Sequence, residues 1–203
     1  HISYHKDSPD ELAILNYTSG TTSFSKGVML PYRSIWSNIR FALDALPLKP
    51  GNKLVSMLPM AHMYGLAFEF IYTFCFGCHI YFLTRMPRPK IILQAFADVK
   101  PELVIAVPLI IEKIIKKNVL PKLETPTMKL LLKVPIVSDK IKATVREQIM
   151  NAFGGNFYEI VVGGAAFNQD IEKFMRSINF PYTVGYGMTE CGPLLCYEDW
   201  KTF

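Results

Sequence analysis

Leu103-Val104-Ile105-Ala106-Val107-Pro108 is an unbroken apolar run stopped by a proline. A strand with one wet face alternates apolar and polar residues. A continuous run instead reads as a strand covered on both faces, the pattern of parallel sheets. The proline ends it because it has no N–H to give a sheet ladder. Helical spacing flanks the run on both sides, at 90–99 and at 109–117, and Glu112 sits four residues before Lys116.

The alternation continues outward. An apolar run at 12–18 enters a loop rich in Gly, Ser and Thr, and 28–30 reads as a short returning strand broken by Pro31. Ile35, Ile39, Ala42, Leu43 and Leu46 then recur at helical spacing, until Pro47 and Pro50-Gly51 end the helix. The section 54–84 is long and nearly uncharged, which raises the question of a membrane span. Pro59, His62, Gly65, Glu69, Gly77 and His79 interrupt it, whereas a spanning helix needs about 20 largely apolar residues. A strand at 53–58, a turn with a buried helix at 63–76, and a strand at 79–83 account for it better. Downstream, two basic helices are expected at 128–137 and 139–153, with Gly154-Gly155 closing the second. Their charges read as solvated faces. A strand at 158–162, a helix at 169–178 and a strand at 182–186 follow. Strands separated by helices imply right-handed crossovers and an α/β fold with a mainly parallel sheet flanked by helices.

Half of the 203 residues are hydrophobic and 13% are aromatic, so a substantial core is expected rather than disorder. The formal net charge of +5 is mild. It suits polyanionic ligands without singling out nucleic acid, and no nucleic-acid partner is expected. The stretch 1–11 is polar and lacks the apolar core of a signal peptide. Four cysteines include the pair Cys75 and Cys78, but Cys191 and Cys196 do not repeat its spacing, and Phe74-Cys75-Phe76-Gly77-Cys78 is apolar. That argues against zinc or redox chemistry and for a reducing, cytoplasmic setting.

The chemistry concentrates in Tyr17-Thr18-Ser19-Gly20-Thr21-Thr22-Ser23-Phe24-Ser25-Lys26-Gly27-Val28. Small residues let backbone approach a ligand, and successive N–H groups in a tight loop form an anion nest. The hydroxyls of Thr18, Ser19, Thr21 and Thr22 can donate to phosphate oxygens, and Lys26 adds a positive charge. It is not a Walker loop: Ser25 replaces the second glycine, and Gly27 stands where Ser or Thr should follow the lysine. The bland alternative is a flexible surface loop.

This segment resembles the phosphate-loop signature of the adenylate-forming (AMP-binding) synthetases, Y-T-S-G-T-T-G-x-P-K-G-V, departing from it at Ser23 and Ser25. Two further segments fall in that family's order. Leu58-Pro59-Met60-Ala61-His62-Met63-Tyr64-Gly65 is similar to its L-P-x-x-H-x-x-G motif. Gly163-Gly164-Ala165, followed by Gly185-Tyr186-Gly187-Met188-Thr189-Glu190, is similar to its adenine-binding pair. The bland readings are a core histidine and tight strand-to-helix turns. Val107-Pro108-Leu109-Ile110-Ile111-Glu112-Lys113-Ile114 is similar to a V-P-x-x-x-E-K-I segment of the long-chain fatty acyl-CoA synthetases. Gly163-Gly164-Ala165-Ala166 and Gly192-Pro193 also suit that branch.

The resemblance implies a set of roles. Residues 18–22 and Lys26 would hold the β and γ phosphates of ATP, His62 would lie near the acyl pocket, and Gly163, Gly164 and Ala165 would line adenine. In the segment Gly185, Tyr186, Gly187, Met188 and Thr189, the tyrosine would stack on adenine and Thr189 would contact the α-phosphate. Glu190, with Thr18, would bind Mg2+, for which carboxylate oxygens are suitable hard ligands. The implied reaction activates a fatty acid with ATP and transfers it to CoA. On this resemblance, residues 1–203 are part of a large N-terminal domain. The ribose-binding acid, and a small C-terminal domain carrying a lysine, are expected to lie beyond Phe203, so this chain alone is expected to be inactive. Contact with a membrane through the lipid substrate stays open. So do an aryl-CoA ligase, a peptide-synthetase adenylation domain and a non-catalytic nucleotide-binding module.

Overall fold

The computed structural model describes residues 6–18, 25–46, 48–131, 134–198 and 200–202. Strands β1 (Leu12–Thr18) and β2 (Lys26–Pro31) pair antiparallel, with Leu15 opposite Met29 and Thr18 opposite Lys26. Helix α1 (Tyr32–Ala45) follows directly. Pro31, in an extended conformation, precedes its first turn, and Ile35, Asn38, Ile39 and Ala42 form its buried face.

β3 (Lys53–Ser56) and β4 (His79–Phe82) form a parallel pair, joined by a helix α2. The first part of α2, Gly65–Ile71, is π-helical, and Tyr72–Cys75 is its α-helical last turn. The wider π turn carries an additional residue per turn, a feature often found at functional sites. Glu69 lies within this π-helical stretch and is fully buried.

α3 (Pro89–Val99) leads to β5 (Leu103–Ala106), and α4 (Pro108–Asn118) leaves it. The short helices α5 (Leu120–Leu123) and α6 (Pro126–Leu131) and the long α7 (Pro135–Ala152) come next. β6 (Glu159–Val162), α8 (Gln169–Ser177), β7 (Tyr182–Gly187) and β8 (Leu194–Glu198) complete the order. The four-stranded sheet runs β5-β6-β7-β8. Its first two ladders are parallel and the last is antiparallel. Helical crossovers supply the length that parallel pairing requires. Every residue of β5 is buried, as its unbroken apolar run predicts, and every residue of β6 is buried too, Glu159 included. Glu102 ties the β3–β4 pair to the four-stranded sheet. Its N–H donates to Lys53 O (3.0 Å), and its carboxylate accepts from Lys53 N (2.5 Å).

Prolines begin α3, α4 and α7. The first turn needs no N–H partner, and the fixed φ of proline suits it. This explains one departure from expectation. Pro135 starts a single helix through Ala152, where the sequence pattern suggests a break near residue 138. β8 and the short α5 are also unforeseen. Cores of α3, α7 and the sheet meet through a relay of rings, Phe96–Phe153–Phe157–Phe180, with centroids 5.6–6.2 Å apart. Among the described residues no helix is long and apolar enough to cross a membrane.

Candidate active site

A cavity of about 430 Å³ opens at the C-terminal ends of β5, β6 and β7. This is where α/β sheets place ligands. Its polar side is built from Gly163, Gly164, Gly185, Tyr186, Gly187, Met188 and Thr189. Its apolar side is built from Leu58, Met63, Phe68, Val107, Leu194 and neighbouring side chains, with His62 at the rim. Segments distant in the sequence, 58–68, 163–164 and 185–189, thus face the same space.

Tyr64 forms the floor. Its hydroxyl shares one proton between Ala106 O (3.3 Å) and Val161 O (3.2 Å), bridging the ends of β5 and β6. Burial pushes the phenol well above its ordinary pKa, so it remains a donor. The Gly163 N–H donates to Ala106 O (3.1 Å), continuing the ladder to the crevice edge. Gly164 has φ +83°, a left-handed conformation that suits glycine. At Gly187 a Cβ would lie 2.0 Å from Pro193 O, so only glycine fits there. Tyr186 is 58% exposed, which leaves its ring free to stack on a planar ligand.

The wall containing His62 is anchored from behind by Glu69. The Glu69 carboxylate accepts from Ser56 Oγ (2.9 Å), Met57 N (3.0 Å) and Leu58 N (2.9 Å). Burial raises its pKa to about 7 against the lowering effect of those bonds. His62 itself is exposed, and its N–H donates to Pro59 O (3.0 Å), closing the turn. Asn16 of β1 donates through Nδ2 to Ala61 O (2.9 Å), which fixes the β1–β2 hairpin to this wall.

Thr18 and Lys26 face each other across the mouth of that hairpin as its last register pair. Ser19, Gly20, Thr21 and Thr22 lie outside the described residues. β2 packs against the short 3-10 turn Thr189–Cys191, which brings the lysine-bearing strand to the turn that carries Glu190. Ala165 and Glu190 are exposed, next in sequence to the lining residues Gly164 and Thr189. Among the described residues no cluster of three or more His, Cys, Asp or Glu could by itself hold a metal. All four cysteines are free thiols.

Phe41, Leu194 and Tyr197 belong to no recognisable motif, yet all three line the cavity. Asn38 did leave a signal, as a polar residue within the apolar stripe of α1. Tyr64 lies within the L-P-x-x-H-x-x-G segment at a position that motif leaves unspecified.

Comparison with known proteins gives consistent relatives. The AMP-binding enzyme family, described as "AMP-binding enzyme", matches residues 3–202. Long-chain-fatty-acid–CoA ligase 4 of Saccharomyces cerevisiae is 28% identical over 204 residues, covering 93% of this chain. The chain spans only 29% of that protein's length. ATP-bound MatB from Rhodopseudomonas palustris superposes with a TM-score of 0.69 at 21% identity, over 98% of this chain and 33% of the other. O-succinylbenzoate coenzyme A synthetase from Bacillus subtilis, in complex with ATP and magnesium ion, has a TM-score of 0.68 at 19% identity. It covers 96% of this chain and 34% of the other. At these identities the two structures speak for the fold.

Proposed function

The chain belongs to the AMP-binding enzyme family, and on that premise we propose that it forms the nucleotide and acyl site of an AMP-forming acyl-CoA synthetase for long-chain fatty acids. The observation that carries this reading is the composition of one cavity. A glycine-lined crevice at the strand ends meets an apolar wall in the same space. An adenylate and a hydrocarbon chain need those two surfaces side by side.

In the proposed reaction a fatty carboxylate oxygen attacks the α-phosphorus of ATP. The bond between the α and β phosphates breaks and pyrophosphate leaves. The thiol of CoA then attacks the acyl carbon, AMP departs and the thiol proton is released. Gly163, Gly164 and Ala165 would accept the adenine edge and Tyr186 would stack on it. Thr189 would meet the α-phosphate, His62 the carboxylate, and Thr18 and Lys26, with residues 19–22, the β and γ phosphates. Most of the rate then comes from positioning and charge neutralisation. The exposed Glu190 carboxylate and the half-buried Thr18 hydroxyl are hard oxygen donors that fit Mg2+. Bound there, it would neutralise triphosphate charge. A cytoplasmic location, with contact to a bilayer through the lipid substrate, accompanies this reading.

The test is ATP–pyrophosphate exchange by the full-length protein with acetate, benzoate, octanoate and palmitate. Each buried methylene contributes about 0.8 kcal/mol, or roughly fourfold, until the cavity is full. Palmitate should exceed octanoate in kcat/KM by at least about tenfold. A preference for benzoate or acetate overturns the long-chain assignment while leaving family membership intact.

A further inference from the structure

Asn38 sits on α1, away from the motifs that mark the site, and is 5% exposed. All of its amide hydrogen-bonding groups are engaged. Nδ2 donates to Ser34 O (3.0 Å) in its own helix and to Cys191 O (3.0 Å). Oδ1 accepts from Leu194 N (2.7 Å). The side chain therefore grips the backbone on both sides of Gly192-Pro193. At Gly192 this backbone runs so close to α1 that a Cβ would lie 3.0 Å from Ser34 O.

The gripped segment is the base of the turn that bears Thr189 and Glu190. Met188 N donates to Pro193 O (2.9 Å), Cys191 N to Met188 O (2.9 Å) and Gly192 N to Thr189 O (3.1 Å). The turn is thus closed on itself, and its closed base is bonded to α1 through Asn38. α1 in turn continues directly from β2, which begins at Lys26. The carboxamide meets both demands from a short stem because its donor and acceptor are separate atoms, Nδ2 for Cys191 O and Oδ1 for Leu194 N; a serine hydroxyl has one shorter-reaching oxygen for both. Aspartate can only accept when ionised, and leucine does neither.

We propose that Asn38 is a positioning residue, setting the Thr189–Glu190 turn against the hairpin that carries Thr18 and Lys26. This rests on the reading of that turn as the α-phosphate and Mg2+ end of the site. Its action is indirect, through the backbone of residues 188–194. Displacing reacting groups by about 1 Å can cost on the order of 100-fold in rate.

The test uses Asn38→Asp and Asn38→Ser in the full-length protein, with thermal melting to show which is folded. If aspartate prevents folding, the serine variant is the one read. ATP–pyrophosphate exchange with palmitate should show kcat lowered by about 10- to 100-fold. The Mg2+ concentration for half-maximal rate should rise several-fold, with KM for palmitate unchanged. In a Glu190→Ala background the same change should add little, because residues acting as a unit are non-additive. A residue that merely supports the fold would lower melting temperature and active fraction while leaving the Mg2+ dependence and the additivity intact. That result overturns the proposal. If the wild-type protein shows no acid-dependent exchange, the synthetase reading fails separately. Calorimetry of ATP with Mg2+ then decides: weakened binding in the variant supports the positioning role, while unchanged binding, or no binding by the wild type, overturns it.

Discussion

The ring of Tyr64 occupies the space that a side chain on Gly163 would need: a Cβ there would lie 3.1 Å from Tyr64 Cζ. It would also lie 3.2 Å from Gly185 O, so β7 closes the other side. Tyr64 has little freedom to retreat, because its hydroxyl is held by the carbonyls of Ala106 and Val161. The glycine of the crevice and the tyrosine of the histidine-bearing segment are complementary parts of one floor. Gly163→Ala should therefore raise KM for ATP by about tenfold, the equivalent of overpacking by roughly 1–2 kcal/mol. The same crowding strains the folded state, so the melting temperature should also fall by a few degrees. An unchanged KM, measured by pyrophosphate exchange over a range of ATP concentrations, would show that Gly163 is not part of the nucleotide floor.

Glu69 links stability to pH. Burial raises its carboxyl pKa from 4.5 to about 7 in the folded protein, so the native state binds the proton more tightly than the unfolded chain does. The stabilisation is complete below about pH 4.5 and is lost as pH rises through about 7, a change of roughly 3 kcal/mol. Glu69→Gln imitates the protonated acid without titrating. Urea unfolding at pH 5 and pH 8 should show wild type losing stability relative to this variant as pH rises. A constant difference between the two proteins at both pH values would mean that Glu69 does not change protonation on folding.

Lys26 and Glu190 should separate in their effects on the full-length protein. Lys26→Ala removes a charge at the mouth of the hairpin and should raise KM for ATP by about tenfold or more, with the Mg2+ requirement little altered. Glu190→Ala should make exchange hard to saturate with Mg2+ and lower kcat by about 100-fold. Titrations of ATP at fixed Mg2+, and of Mg2+ at fixed ATP, distinguish the two. Identical changes in both variants would contradict the separate roles.

Much of this architecture was legible in residue order because its causes are local. The unbroken apolar run at 103–107 required a strand covered on both faces, and β5 is buried throughout. The stripe of Ile35, Ile39 and Ala42 required a helix buried on that face, as in α1. Gly163, Gly164, Gly185 and Gly187 marked strand ends where backbone comes close to something else, and they do line the cavity. Boundaries were less legible where one residue type serves two purposes. Pro135 can stop a helix or start one, and the fold uses it to start α7.

The alternation of strands and helices, the three ordered motifs and the family they resemble can be read along the chain, because apolar periodicity and short glycine-rich segments act over a few neighbouring residues. How those pieces meet is set by packing in three dimensions. β8 exists because β7 offers it an antiparallel edge. Gly163 needs its missing side chain because Tyr64, 99 positions earlier, fills the space. Asn38 reaches Cys191 and Leu194 across more than 150 residues of chain. Such contacts depend on chain crossovers and on packing between surfaces, and periodicity along the chain carries no record of which surfaces those are.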